Sequence, residues 1–288
     1  MYKDIYGDTR YKVGLHLHTK LSDGRATPEE AAEIYKAAGF DAIAITDHWK
    51  FYPEGTLAGL TIISGCEYNT GVADTIEDVM HIVGVGMQYA PELNEKSSRQ
   101  EIIDGIRAAG GTAILPHPAW SLNTPEEVMA LTGFSAVEIY NTVSNAGQSS
   151  RPYSGYFVDL LANKGVVYPL VAADDTHYYN EDDACISYIM VKAENGSQKA
   201  ILEAVRAGNF YATQGPEVHI RREGETIFAD CSPCCMINFL SNSSWARRMH
   251  KGENLTHAEY TLRPWDKWVR VEVKDANGNY GWTNILVI

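Results

Sequence analysis

Short apolar runs alternate with amphipathic stretches of helical period along residues 12–213. The apolar runs predict buried strands, and the amphipathic stretches predict helices that cover them. Strands are expected at residues 13–17, 42–45, 60–65, 80–85, 112–115, 136–139 and 167–172. Helices are expected at residues 27–39, 98–109, 125–131, 152–164 and 197–207. About seven strands that alternate with helices predict a mostly parallel α/β domain and favour a barrel over an open sheet.

The first predicted helix has the strongest local signal. Thr27 is expected as its N-cap, Pro28 as its first residue, and Glu30 as the partner that completes a capping box. Gly39 is expected to end the helix. The positions with helical spacing that are expected to face the core are Ala31, Ile34, Tyr35 and Ala38.

The pattern changes after Gly215 and Pro216. Residues 217–288 have no long helical period and consist of short β-type runs separated by turn residues. The stretch VRVEVKDANGNYGW has the form of a hairpin with an Asn-Gly turn. The sequence therefore predicts two domains: an α/β barrel in residues 1–215 and a small antiparallel β domain, expected to be a sandwich, in residues 216–288.

Composition narrows the functional classes. The 288 residues contain no run of about 18 apolar residues, so no membrane span is expected. The polar N-terminal stretch lacks the apolar segment of a signal peptide, and five cysteines suit a reducing compartment, so a cytoplasmic protein is expected. The formal charge of −13 argues against a nucleic-acid polymer as partner and favours a small molecule. The oligomeric state is left open.

Histidines and carboxylates cluster where the predicted strands end. His16 and His18 lie two residues apart on one strand, so their side chains point to the same side. The other candidates are Asp23, His48, Glu67, His81, His117, Asp175 and His177. Because the carboxyl ends of parallel strands meet at one face, these nine groups are expected to share a site and to repel one another without cations. Imidazole and carboxylate ligands predict divalent Zn, Mn or Fe.

Other candidate ligands have simpler interpretations. His219, His250 and His257 lie in the β region without ligand-type neighbours, and structural hydrogen bonding is expected for them. The cysteines Cys231, Cys234 and Cys235 lack a second pair at zinc-finger spacing, so no zinc site is expected there.

The motifs resemble those of the PHP family, named for polymerase and histidinol phosphatase domains. They are His16-Leu-His18, Ser-Asp23-Gly, Thr-Asp-His48, Glu67, His81, Pro-His117-Pro and Asp175-Thr-His177. Within this family, the chain is most similar to the metal-dependent phosphoesterases grouped with the carbaryl-hydrolase-like metallohydrolases. The resemblance extends over nearly the whole chain, and it implies a distorted seven-stranded β/α barrel with a two- or three-metal site.

The resemblance also implies how the ligands divide. One metal would be held by His16, His18, Glu67 and Asp175. A second would be held by Asp23, His48 and His177, and a third by Glu67, His81 and His117. Glu67 would bridge two ions. The spacing to His177 favours Asp175 over Asp174 as the ligand.

Hydrolysis of a small phosphate ester by a metal-bridging hydroxide is the functional hypothesis. Asp23 and His177 are expected at the reaction centre, with Asp174 or a metal-bound water as the general acid. The basic residues near the site loops that are candidates for binding substrate oxyanions are Arg151, Arg25, Lys20 and Lys50. Arg151 is the strongest of these because it lies in the polar loop 141–155, a segment of the kind that often shapes specificity.

Two alternatives remain open. The same metal site would serve a carboxylic or carbamic ester hydrolase, since both reactions need a Lewis acid and a hydroxide. A non-catalytic metal-binding protein whose β domain recognises a ligand is the other alternative, although all nine candidate ligands are present.

Overall fold

The computed structural model describes residues 1–72, 77–145, 149–245 and 248–288. These residues form strands, five helices and the loops that connect them. The strands are β1 (Tyr2–Lys3), β2 (Thr9–Gly14), β3 (Ala42–Ala44), β4 (Gly55–Leu57), β5 (Leu60–Ile63), β6 (Gly65–Val72), β7 (Glu77–Val85), β8 (Thr112–Leu115), β9 (Phe134–Asn141), β10 (Leu170–Ala173), β11 (Tyr188–Val191), β12 (Phe210–Thr213), β13 (Val218–Glu223), β14 (Thr226–Ser241), β15 (Met249–Thr261), β16 (Trp268–Lys274), β17 (Tyr280–Trp282) and β18 (Leu286–Val287). The helices are α1 (Pro28–Ala37), α2 (Arg99–Ala108), α3 (Pro125–Met129), α4 (Gly155–Asn163) and α5 (Gln198–Arg206).

All five predicted helices are present, and local capping explains where three of them begin. Thr27 and Glu30 form the expected capping box at α1. Equivalent boxes precede α2, at Ser98, and α3, at Thr124. Each box gives hydrogen-bond partners to backbone N–H groups that the first turn of a helix leaves unpaired.

The strands of the α/β region form a mixed arrangement. β2, β3 and β5 pair in parallel, and so do β8, β9 and β10. In contrast, β7 is antiparallel to both β6 and β8. The predicted α/β class is therefore confirmed, with an antiparallel hairpin inserted between two parallel groups.

The expected closed barrel is not detected among the described strands. Their ladders form two sheets, one of thirteen strands and one of five, in the order β10-β9-β8-β7-β6. Isolated bridges join the two sheets at Leu17 with Thr176 and at His48 with Glu67. The ladders stop here because backbone groups find other partners, as when the N–H of Leu17 donates to Oγ1 of Thr46.

The C-terminal strands continue the larger sheet. The 16-residue β14 pairs antiparallel with β13, β15 and β16, and β17 pairs with β12 of the α/β region. The expected β-sandwich is thus not detected in the described residues, because these strands add to an existing sheet edge. The hairpin of β16 and β17 is confirmed. The predicted domain boundary lies between β12 and β13 and stays a prediction.

Two apolar clusters support the α/β region. One packs α2 against β7 and β8, and α5 against β5, β9 and β11, with Ile102, Ile106 and Ile201 fully buried. The other packs Tyr35 and Phe40 against the outer face of β3 and β5. Among the described helices, each is too short or too polar to cross a bilayer.

Candidate metal centre

His16 and His18 follow β2 and form the floor of the centre. Both side chains are buried, and their Nε2 atoms lie 3.3 Å apart. This convergence agrees with the two-residue spacing, which puts both rings on the same side of an extended chain.

The motif Thr46-Asp47-His48 holds the loop that carries Asp23. Asp47 accepts hydrogen bonds from the N–H of Thr19, at 2.7 Å, and from the hydroxyl of Ser22, at 2.7 Å. A Cβ at Gly24 would lie 2.2 Å from the carbonyl oxygen of His18, so only glycine allows this close packing. Asp47 is therefore a structural residue beside the candidate ligand His48.

Glu67 lies on β6 at the middle of the centre. Its Oε2 is 3.0 Å from Nε2 of His18 and 3.2 Å from Nδ1 of His48. Its other oxygen, Oε1, is 2.9 Å from Nδ1 of His81 and 3.4 Å from Nε2 of His117. The two carboxylate oxygens thus face two different groups of histidines.

Asp175 and His177 complete the centre after β10. Oδ1 of Asp175 lies 3.1 Å from Nε2 of His16 and 3.0 Å from Nε2 of His18. His177 places Nε2 3.4 Å from Oδ2 of Asp23. Both Asp175 and His117 have positive φ angles, 54° and 30°, which are strained for residues with a Cβ and occur where function constrains the backbone.

All nine predicted residues meet in this one centre, as three overlapping groups with ligand atoms within 4.8 Å of one another. The groups are His16, His18, Glu67 and Asp175; His18, Asp23, His48 and His177; and Glu67, His81 and His117. The residues fit divalent ions on two observations. The donors are imidazole nitrogens and carboxylate oxygens, and two buried atoms, Oδ1 of Asp175 and Nδ1 of His48, have no hydrogen bond in the described structure.

Opposite charges hold the metal-free centre together. Burial alone would lower the pKa of His16, but Asp175 and Glu67 raise it well above its ordinary value. Burial likewise opposes protonation of His18, yet the carboxylates of Asp175 and Glu67, each 3.0 Å from its Nε2, raise its pKa to about 9. Burial would raise the pKa of Glu67, but the neighbouring histidines hold it well below its ordinary range. In the metal-free protein, protonated histidines therefore supply the positive charge that bound cations would supply.

Residues 14–180, more than half of the chain and including all nine residues, match the PHP domain. The chain belongs to the PHP family. An uncharacterized protein of Methanocaldococcus jannaschii is 30% identical over 121 residues, which cover 37% of this chain and 67% of that protein.

Solved structures extend the similarity of the fold beyond the PHP match. A two-domain protein from Bacteroides vulgatus, described as containing a predicted PHP-like metal-dependent phosphoesterase, superposes with a TM-score of 0.57 at 14% identity. The alignment covers 99% of this chain and 98% of that one. The lesion-specific endonuclease Q of Pyrococcus furiosus has a TM-score of 0.51 at 12% identity, over 69% of this chain and 56% of that chain. At sequence identities this low, the similarity to these two structures shows a common fold and nothing further.

Glu138 of this PHP centre was not predicted from the sequence. It is buried on β9, where Oε1 lies 2.8 Å from Nδ1 of His16 and Oε2 accepts the backbone N–H of His117 at 2.9 Å. Asn141 donates to Oε2 of Glu138, at 2.9 Å, and to Oδ2 of Asp175, at 3.1 Å. The only sequence signal was a carboxylate inside an apolar strand. Glu138 and Asn141 orient three candidate ligands from behind.

The predicted substrate-binding cations do not line the cavity at the centre. The cavity is about 320 Å³. Arg151 and Arg25 are exposed, and Arg25 lies over the ring of Tyr178. Lys20 pairs with Glu30 at 3.1 Å, and Lys50 is exposed. The described lining contains no lysine or arginine. Residues 146–148 of the loop 141–155 lie outside the described residues.

The structure does not support Asp174 as general acid. Its buried carboxylate accepts hydrogen bonds from the hydroxyl of Tyr35 at 2.8 Å, from Thr142 at 3.1 Å and from the N–H of Ser187 at 2.7 Å. Burial raises the pKa of Asp174 to about 6. This carboxylate does not line the cavity, and its hydrogen bonds join the chain just after β10 to the segment just before β11.

The remaining histidines have protein partners or lie at the surface. His219 lies 2.6 Å from Oε1 of Glu217, and His257 lies 2.6 Å from Oδ1 of Asp230. His250 is exposed against the ring of Phe239. A fourth acidic group, Asp4 with Glu217 and His219, is also satisfied by protein partners, since Asp4 pairs with Arg10 at 2.6 Å. The cysteines are free thiols.

Proposed function

We propose that this PHP protein is a metal-dependent phosphoesterase that hydrolyses a small phosphate ester with two or three divalent ions, Zn, Mn or Fe. The observation that carries this proposal is the overlap of three donor groups at one cavity, where His18 and Glu67 each belong to two of the three groups. A phosphoryl group brings negative charge, and the described lining offers no lysine or arginine to balance it. Bound cations are then the source of positive charge.

Each donor group has its own place in this proposal. His16, His18, Glu67 and Asp175 would hold one ion; Asp23, His48 and His177 a second; and Glu67, His81 and His117 a third. When bound, such ions supply Lewis acidity, which lowers the pKa of water toward neutrality and offsets charge on phosphoryl oxygens.

The chain's own residues prepare the site for this chemistry. Glu67 and Asp175 keep low pKa values, so they remain anionic donors. Oε1 of Glu138 accepts a hydrogen bond from Nδ1 of His16. This contact fixes the ring and leaves Nε2 directed at the centre. Pre-oriented donors avoid reorganisation during the reaction.

A small substrate is favoured over a nucleic-acid polymer. The formal charge is −13, and a polymer would need a track of basic side chains. The similar two-domain protein of Bacteroides vulgatus is described as containing a predicted metal-dependent phosphoesterase, which supports the reaction class. Five free thiols support a reducing, cytoplasmic location.

Metal analysis followed by a substrate panel tests the proposal. Gently purified protein should contain two or more equivalents of divalent metal and should hydrolyse p-nitrophenyl phosphate faster than the matching carboxylic and carbamic esters. A His18→Ala variant, prepared identically, controls for contaminating phosphatases, since His18 belongs to two donor groups. Hydrolysis of only the carboxylic or carbamic esters would establish the alternative instead.

A further inference from the structure

Four side chains of the cavity wall lie outside the three donor groups. They are Asn69, Trp120, Val143 and Ser144. The cavity of about 320 Å³ is at the small end of the range for ligand sites, which is roughly 300–1,000 Å³. These four residues are therefore placed to contact the part of a substrate that extends beyond the candidate metal ligands.

Trp120 gives this wall an aromatic surface. Its ring lies edge-to-face with His117, with centroids 5.0 Å apart, and tilted against His81 at 5.6 Å. The indole is only partly buried and borders the cavity. An aromatic ring fixed beside a reaction centre favours a planar apolar group of the ligand.

Asn69 gives the wall a hydrogen-bond acceptor. It lies two residues after Glu67 on β6, so both side chains project from the same face, and it pairs in register with His81. Its Oδ1 is buried and has no hydrogen-bond partner in the described structure. A buried acceptor without a partner is costly, and a ligand with an O–H or N–H group would satisfy it.

Val143 and Ser144 add one apolar and one polar contact. The hydroxyl of Ser144 already donates to Oδ1 of Asn141 at 2.7 Å, so toward a ligand it can act as an acceptor. This again matches a ligand that donates a hydrogen bond.

The described wall has no spare general acid. Every titratable side chain that lines the cavity belongs to a donor group, and Asp174 faces elsewhere. An alkoxide leaving group would need such an acid. A phenol, which ionises with a pKa of about 10 like tyrosine, leaves far more readily without one.

We propose that Trp120 and Asn69 bind the leaving group of the substrate, and that this group is a planar aromatic ring with an O–H or N–H donor. The inference rests on the proposed phosphoesterase function. The substrate class is then an aryl phosphate. Water adds to phosphorus, the P–O bond to the ring oxygen breaks, and a phenol and inorganic phosphate are released.

Binding of non-hydrolysable analogues tests the aromatic contact without turnover. Metal-loaded wild-type protein should bind phenylphosphonate about tenfold more tightly than methylphosphonate in calorimetry. Trp120→Leu should remove this preference and Trp120→Phe should retain much of it. Trp265→Leu, a change at an exposed tryptophan of the C-terminal region, should behave as wild type. Equal affinity of the wild type for both phosphonates would overturn the proposal, whether or not the variants fold.

Kinetics test Asn69. The wild type should have a lower KM for 3-hydroxyphenyl phosphate than for phenyl phosphate, and Asn69→Ala should erase a difference of about two- to tenfold. Metal content is measured for each variant. Unchanged discrimination in metal-replete Asn69→Ala would remove Asn69 from the site. Aryl preference in phosphonate binding without hydrolysis of any phosphate ester would instead contradict the proposed function and leave the subsite intact.

Discussion

His16 turns Nδ1 toward Glu138, 2.8 Å from Oε1, and so directs Nε2 toward Asp175 and Glu67. The same carboxylate accepts the backbone N–H of His117 at 2.9 Å. A single buried glutamate therefore sets the orientation of ligands in two of the three donor groups.

Glu138→Gln should lower metal affinity about 10- to 100-fold, the usual effect of losing a carboxylate behind a histidine ligand. The amide keeps the size of the side chain but removes its charge. Metal titration followed by elemental analysis measures the change. Glu33→Gln, at an exposed position of α1, is the matched control and should titrate as wild type. Wild-type affinity in Glu138→Gln would show that this carboxylate serves packing alone.

Glu67→Gln should lower occupancy of two metal sites together and nearly abolish turnover. Its two oxygens face different histidine groups, with Oε2 3.0 Å from His18 and Oε1 2.9 Å from His81, and an amide nitrogen has no lone pair for a cation. His81→Ala and His117→Ala should weaken chiefly the third site. Metal counts on the three variants distinguish these outcomes, and a Glu67→Gln protein with full metal and near-normal rate would exclude bridging.

The candidate ligands could be predicted from the sequence because their motifs follow buried strands. His16 and His18 after β2, and Asp175 and His177 after β10, reach one face whatever the details of strand pairing. Glu138 could not be predicted, because in the stretch AVEIYN it has the spacing of an ordinary outward-facing strand residue. Its burial depends on partners that only the tertiary fold brings together.

Strand boundaries were harder to predict where backbone contacts decide them. The apolar run 60–65 divides into β5 and β6 at Ser64, and a Cβ at Gly65 would lie 2.5 Å from the carbonyl oxygen of Ile45. β11 and β12 were not predicted, although each is as long as the predicted β8. On α1, Ala31 and Tyr35 are buried as expected, whereas Ile34 and Ala38 are exposed and Ala32 is buried. The buried face of the helix is therefore rotated from the one that the loose apolar pattern indicates.

Chelation should destabilise the protein more at high pH than at neutral pH. In the metal-free protein the pKa of His18 is raised to about 9, so its ion pairs with Glu67 and Asp175 are present at neutral pH. Stability from a raised pKa is complete below the unfolded value, about 6.5, and is lost as the pH rises through about 9. The rise in the pKa of His18 from 6.5 to about 9 corresponds to roughly 3 kcal/mol of folding free energy.

Urea unfolding of chelated and metal-loaded protein at about pH 7 and about pH 9.5 measures this effect. The metal-loaded samples control for titration elsewhere in the chain. An equal loss of stability on chelation at both pH values would contradict the role given to protonated histidines.

Arg270→Met should destabilise the protein by about 3–5 kcal/mol, because it leaves the buried carboxyl group of Glu272, 2.5 Å from Nη1 of Arg270, and the partly buried carboxylate of Asp159 without their partner. Arg270 lies on β16 of the C-terminal region, and its guanidinium pairs with Asp159 of α4, Nε to Oδ1 at 2.6 Å and Nη2 to Oδ2 at 2.9 Å. Arg221→Met breaks an exposed pair with Asp230 instead and should cost no more than about 1 kcal/mol. Denaturant unfolding of both variants measures the difference. If the C-terminal strands did not support the α/β region, Arg270→Met and Arg221→Met would lower the stability of the protein by similar amounts. The bidentate contact of the buried Arg270 with Asp159 of α4 predicts a larger loss for Arg270→Met, because the stability of the α/β region falls as well.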